Sequence, residues 1–315
     1  MSHANDTPSS NPWSLQLISW GAVGVVFVVS DRIVAKQART LANKGMKHEH
    51  HIFDVLEAKP QCPHIVRSFL RLPDINFLEN MTGGNLEARL RAHQVRDGRE
   101  FVSVRSLMPT NLVSRWMAEL VDAVAWLEKL GLAHGDIRPS NLLLNSADHL
   151  KLADFDCAAE LGQQELEAGA PPYARLQGSE AGEQKGTFGL LGPRTEQFAI
   201  GSVFYYLTRG YEPYEDTPAL GPEVVYLLQN KQFPLTNPDD ARDTVIRKCW
   251  HGDFPSVQQL AIEVESLRLD HEREDPSGDL CEDRRQECLE WYKTFTPSID
   301  AWMANYRAQL PSDEE

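Results

Sequence analysis

The chain has 315 residues, 42% of them hydrophobic, and a formal charge of −15 at pH 7, enough apolar material to bury a full core in one large domain or two lobes. That charge excludes a nucleic acid polymer as partner, because phosphate contacts draw on clustered Lys and Arg. Five scattered cysteines without CxxC spacing fit a reducing compartment and leave no zinc site. Residues 1–13, MSHANDTPSSNPW, are rich in Ser, Pro and Asn and predict a disordered leader. Leu15 to Trp20 and Val25 to Val29 read as strands around GAVG, and SDR turns the chain into a third strand, IVAKQ. The run from Ala22 to Val29 is broken by Gly24 and too short to cross a bilayer, so the expectation is no membrane and an intracellular location, cytoplasmic or nuclear.

A hairpin with two glycines, Gly21 and Gly24, is by itself more often a tight turn than a ligand site. Lys36 ends the third strand, and Glu49 follows in KHEHHIFDVLE, where Ile52, Phe53 and Leu56 fall at helical spacing. His48, His50 and His51 beside it lack a partner motif and read as solvated. VRSFLRLPDINFLENMTGGNLEARL reads as a strand, a Pro-Asp turn, a second strand and a linker into a helix. Thr110 to Leu130 carries an apolar stripe through Leu112, Val113, Trp116, Met117, Leu120, Val121, Val124 and Leu127, closed by Gly131.

The stretch that organises the rest is 134–156, HGDIRPSNLLLNSADHLKLADFD. His134, Asp136 and Asn141 share one loop, and an apolar hairpin brings Asp154 after them. Phosphoryl transfer needs a carboxylate to orient the attacking hydroxyl and oxygen ligands to hold Mg²⁺. Asp136 suits the first role, Asn141 and Asp154 the second.

HGDIRPSN and DFD resemble the HRDLKPxN catalytic loop and DFG motif of the eukaryotic protein kinases. FAIGS, the GYEPY turn and KCW follow in that family's order, so the resemblance covers about residues 15–268. It implies an α+β, bilobal protein-kinase-like fold: a small β-rich N-lobe over 14–80 and a larger helical C-lobe over 81–268. ATP and Mg²⁺ are the implied cofactors and a protein the implied substrate. By resemblance, Lys36 holds the nucleotide phosphates and Glu49 holds Lys36; Asp136 and Arg138 act at the transferring phosphate. Ile18, Ser19, Gly21, Gly24, Val26, Val34 and Leu143 surround the nucleotide, and the main chain of Glu79 and Met81 meets adenine. A looser resemblance runs to divergent, fungal-type kinase-like proteins.

The departures each carry an expectation. Ser19 stands for the first glycine of the phosphate loop, and Asp156 for the glycine of DFG, where it reads as a solvated turn residue. Gly135 replaces an arginine that in many relatives reads a loop phosphate, and no Ser, Thr or Tyr lies between Asp156 and Tyr173, so the usual phospho-switch has no basis here. Gln177 replaces the glutamate of APE, and its late arginine is gone with it, which avoids stranding a buried charge. Glu196, for the usual Asp, is expected to keep a bond to the catalytic-loop backbone. Residues 269–315 hold an acidic extension whose Trp291, Tyr292, Phe295, Trp302 and Tyr306 predict one or two helices docked on the larger lobe. DIRPSN is nearer the Ser/Thr than the Tyr pattern. Two alternatives stay open: a catalytically weak pseudokinase scaffold, and a small-molecule phosphotransferase of the aminoglycoside or choline type, which shares HGDxxxxN.

Overall fold

The computed structural model describes residues 16–21, 23–39, 44–163, 169–269 and 281–307; the leader expected over 1–13 lies outside them. The chain divides into two compact units, one from Met1–His50, Arg67–Asn80 and Asp279–Glu315, the other from His51–Val66 and Met81–Gly278. The first is built on a sheet of β1 (Leu17–Trp20), β2 (Gly24–Val28), β3 (Ile33–Ala38), β4 (Ser68–Leu72) and β5 (Ile75–Glu79), in the order β1-β2-β3-β5-β4 with every pair antiparallel. Helix α1 (Lys44–Glu57) follows β3, and the division of the chain falls inside it. Its later half belongs with the second unit because Phe53 packs edge-on against Phe155 at 5.4 Å, while the Val66 N–H donates to the Leu152 carbonyl at 3.0 Å. The small unit is therefore not the single stretch 14–80 that chain order suggests.

Strand parity sorts the sheet into two faces, because successive side chains point to opposite sides. Phe27, Ala35 and Phe77 stand in register on one face; Val26, Lys36 and Asn76 stand in register on the other, as do Val34 and Leu78. One period-two pattern thus separates core residues from residues that carry chemistry.

The second unit opens with β6 (Gly84–Asn85), α2 (Leu86–Arg91) and a hairpin of β7 (Gln94–Asp97) and β8 (Glu100–Val104). Helix α3 (Thr110–Lys129) is buried along most of its length and ends before Gly131, whose φ of +77° turns the chain into β9 (Leu132–Ala133). β10 (Leu142–Leu144) and β11 (Leu150–Leu152) form the expected apolar hairpin, and β12 (Ala159–Glu160) pairs with β9. Four helices follow: α4 (Pro193–Arg209), α5 (Glu223–Gln229), α6 (Ala241–His251) and α7 (Val257–Glu265). α4 and α6 approach closely at Gly201, where a Cβ would lie 2.7 Å from the Cys249 Cβ. That contact accounts for the glycine in FAIGS. Trp250 of KCW, fully buried, donates its indole N–H to the Ser202 hydroxyl at 3.0 Å, and Ser202 donates to the Pro172 carbonyl at 2.6 Å.

The last helix, α8 (Cys281–Arg307), belongs to the first unit, not to the larger one. Cys288, Trp291 and Phe295 recur at helical spacing, and Cys288 and Trp291 are buried with Val25, Phe27, Leu70 and Phe77. Trp291 meets Phe77 edge-on at 5.7 Å. The reason is the sheet itself: its Phe27 and Phe77 face is apolar and needs a cover, and α8 supplies a matching stripe. Among the described residues no helix is long and apolar enough to cross a membrane.

Candidate active site

The catalytic-loop residues are held by backbone bonds that their own sequence supplies. Asn141, buried after the short helical turn Pro139–Asn141, donates from Nδ2 to the Asp136 carbonyl at 2.9 Å and to the Asp136 Oδ2 at 2.8 Å. Arg138 Nε lies 3.2 Å from the same carboxylate oxygen. With its amide N–H₂ committed to Asp136, Asn141 keeps Oδ1 for other use, beyond a 3.4 Å contact from the Ser140 hydroxyl. His134, fully buried, accepts the Asp136 N–H on Nδ1 at 3.2 Å and donates from Nε2 to the Ala153 carbonyl at 3.0 Å. One imidazole thereby ties the loop to the residue before Asp154. Burial holds its pKa down at about 4, so it bridges as the neutral ring.

Glu196 carries the expected bond to this loop. Its carboxylate accepts the His134 N–H at 2.8 Å and the Gly135 N–H at 3.2 Å, from the first turn of α4. Asp136 is pushed up from the usual carboxylate range, chiefly by burial, which Arg138 and the Asn141 bond oppose. A carboxylate drawn upward in this way holds a proton more readily than a solvated aspartate does.

Gly135 has a reason beyond a missing phosphate reader. Its φ is +79°, and a Cβ there would lie 2.7 Å from the Cys157 carbonyl oxygen. The loop and the DFD turn pass too close for any side chain at this position. Asp154 itself has φ +68°; Asp156 is not among the four non-glycine residues with positive φ in the described chain, so its backbone makes no demand for glycine. Phe155, fully buried, is edge-on to His134 at 5.2 Å as well as to Phe53.

In the first unit Lys36 Nζ meets Glu49 Oε1 at 2.9 Å, and both side chains are buried. Val26 and Val34 share Lys36's face of the sheet, as described above. Ser19 stands opposite Val26, and Ile18 is half exposed. The Gly21 N–H closes the turn onto the Gly24 carbonyl at 2.9 Å; a Cβ on Gly24 would be 2.9 Å from the Gln37 carbonyl oxygen, so this glycine is required by the approach of β3. Glu79 ends β5 opposite Ile33 in the first unit, while Met81 and Leu143 lie in the second, Leu143 opposite Asn85. The histidines next to Glu49 form no metal cluster with neighbours in the described residues.

Two features escaped the sequence reading. Beside Gln177, buried Arg175 meets Glu180 Oε1 through Nη2 at 2.9 Å, while Gln177 donates to Gln184. The insertion QGSEAGEQKG thus brings its own counter-ion. The hairpin β7–β8 is the other; Asp97-Gly98 between alternating residues was the available signal, and Gly98 has φ +57°. Buried Gln94 donates to the Gly210 carbonyl at 2.7 Å, and Arg96 meets Glu215 at 2.7 Å, fixing the turn that follows α4.

A protein kinase domain model matches residues 21–221. Among curated proteins, human Citron Rho-interacting kinase is 31% identical over 242 residues, covering 72% of this chain and 11% of that protein. Human Myotonin-protein kinase is 29% identical over 151 residues, 44% of this chain and 24% of the relative. CBL-interacting serine/threonine-protein kinase 3 of Arabidopsis thaliana is 32% identical over 148 residues, 45% of this chain and 29% of the relative. In each case the chain spans less than a third of the relative's length.

Proposed function

The chain belongs to the protein kinase domain family, a family of transferases, and on that premise we propose that it moves the γ-phosphoryl group of MgATP to a Ser or Thr hydroxyl of a protein. The observation that carries the reading is the surroundings of Asp136: Asn141 fixes one carboxylate oxygen, Arg138 lies beside it, and burial raises its basicity. Asp136 then orients the acceptor hydroxyl and takes its proton.

The residues fit the implied cofactors by donor chemistry. Asn141 Oδ1 and the Asp154 carboxylate are hard oxygen donors of the kind Mg²⁺ takes, and the orientation of the Asn141 amide, set by Asp136, leaves that oxygen for the ion. Bound MgATP supplies the transferable phosphoryl group and the charge neutralisation its transfer requires. Lys36, paired with Glu49, suits the phosphates, and the glycines at 21 and 24 leave backbone N–H groups room near them. Arg138 adds a fixed positive charge beside Asp136. The preference for Ser and Thr is supported by DIRPSN and by the serine/threonine kinase among the relatives. Retention of Lys36, Glu49, Asp136, Asn141 and Asp154 together weighs against a scaffold without catalysis.

The test is Mg²⁺-dependent phosphate incorporation by the full chain into a mixed basic protein, beside Asp136→Asn and Asp154→Asn. Loss of incorporation in both variants is the expected result. Nucleotide binding without transfer in the wild type would overturn the reading in favour of a scaffold.

A further inference from the structure

Asn76 of β5 is fully buried, and its Nδ2 has no hydrogen-bond partner among the described residues. The other end of the amide is fixed. The Arg71 guanidinium, which can only donate, gives an N–H from Nη1 to the Ser68 hydroxyl at 2.9 Å, and Ser68 donates its own O–H to Asn76 Oδ1 at 2.7 Å. Turning the amide over would take the acceptor from the Ser68 proton, so this relay sets the amide's orientation. Each bond of the relay polarises the next, and it ends on an N–H₂ group that faces away from Ser68. A buried donor without an acceptor is unfavourable, so a state of the protein in which Asn76 finds one is stabilised.

Strand register narrows the choice of acceptor. Lys36, Asn76 and Arg71 are directly opposed in one row across β3, β5 and β4, and opposed residues on one face of a sheet have Cβ atoms about 4.5–5.5 Å apart. The buried polar residues of the first unit are Lys36, Gln37, Glu49, Ser68 and Asn76. Gln37 stands opposite Ile75 on the other face of the sheet and donates to Asp74 at 3.0 Å. Ser68 already bonds Asn76. What remains beside Lys36 is the Glu49 carboxylate, held by Lys36 Nζ at 2.9 Å and almost wholly buried. An ammonium has three N–H groups. When phosphates draw on them, the hold on Glu49 weakens while its carboxylate stays out of water, and a buried carboxylate short of donors is strongly disfavoured.

We infer that Asn76 is a positioning residue for the phosphate site: its Nδ2 donates to the Glu49 carboxylate when Lys36 turns to a nucleotide phosphate, so that Glu49 keeps its place behind Lys36. This rests on the reading of Lys36 as the residue that holds the phosphates. Asn76 touches no substrate and acts through Glu49 alone. The exchange answers to phosphates and not to a nucleoside, which leaves the pair of Lys36 and Glu49 closed.

The experiment uses the full chain and compares MgATP with adenosine. Equilibrium binding of each is measured by titration calorimetry for the wild type, Asn76→Leu, Glu49→Gln and the double variant, with Asn76→Ala as a smaller substitution should leucine not fit the site. Asn76→Leu should weaken MgATP by on the order of tenfold, the scale of one hydrogen bond to a charged group, and leave adenosine unchanged. In Glu49→Gln the same substitution should lose most of its effect, since the acceptor is no longer charged. Equal weakening of MgATP and adenosine by the Asn76 variants, the signature of a merely structural residue, would overturn the inference. So would an undiminished effect in Glu49→Gln. If the wild type binds MgATP more tightly than adenosine and the Asn76 variants match it, the inference falls while the reading of Lys36 stands. If the wild type binds adenosine as tightly as MgATP, the reading of Lys36 falls and takes the inference with it.

Discussion

The two units hold their candidate functional residues by opposite means. In the first, Lys36 and Glu49 depend on each other: one buried ion pair, placed by strand parity on β3 and by one turn of α1. In the second, Asp136 sits in a net of bonds from Asn141, Arg138, His134 and, through the adjoining backbone, Glu196. A pair concentrates its energy in two side chains, while a net spreads it over a loop. The lesson is that removing one partner should be costly to stability in the first unit and costly to chemistry in the second.

The largest expected effect breaks the second unit's side of this contrast. Asp136→Asn should cut phosphate transfer by about 10²–10⁴-fold, the range of a positioned general base. Its unfolding midpoint near neutral pH should stay equal or rise, because burial disfavours the ionised carboxylate that the substitution removes. A fall in midpoint alongside the lost activity would mean that Asp136 is structural.

Lys36→Met tests the first unit's side. It leaves the Glu49 carboxylate buried without its lysine and should cost roughly 3–5 kcal/mol in denaturant unfolding. Adding Glu49→Leu should return most of that stability and none of the activity. If the single and double variants unfold alike, the pair does not concentrate energy as described.

Trp291→Ala asks whether α8 is part of the same unit in solution. Truncating a buried Trp should cost about 3 kcal/mol or more and expose the Phe27 and Phe77 face to a hydrophobic dye. An unchanged unfolding curve would remove α8 from the core.

Acid should act through two buried imidazoles. His134 and His64 both have pKa values held down at about 4 by burial, against 6.5 in the unfolded chain. The unfolded state therefore takes up protons first as pH falls: their contribution is full above pH 6.5 and is lost between 6.5 and 4, about 3 kcal/mol for each ring. Urea midpoints at pH 7 and pH 4.5 measure the loss, and His64→Gln should shrink it by about half. An equal loss in that variant would assign the acid sensitivity elsewhere.

The smallest effect sharpens the comparison at the loop itself. Gly135→Ala forces a positive φ on alanine, at about 1–2 kcal/mol, and displaces Cys157. Transfer activity should fall more steeply than the thermal midpoint, since the net holds the loop while the substitution shifts Asp136.

Alternating residues on β2, β3 and β5, the stripe on α3 and the spacing from Asp136 to Asn141 to Asp154 are local patterns. The sequence by itself therefore determined the strands, the long helix, the α+β class and the short list of polar residues around which chemistry is proposed. Gly135 looked like the loss of a phosphate reader, because nothing local says that the Cys157 carbonyl lies where a Cβ would go. The allegiance of α8 was decided in tertiary structure too. Its aromatic stripe announced a buried face but not which apolar surface it would meet, since hydrophobic burial is non-directional and any complementary face satisfies it; only the uncovered side of the sheet, with Phe77 against Trp291, made the choice.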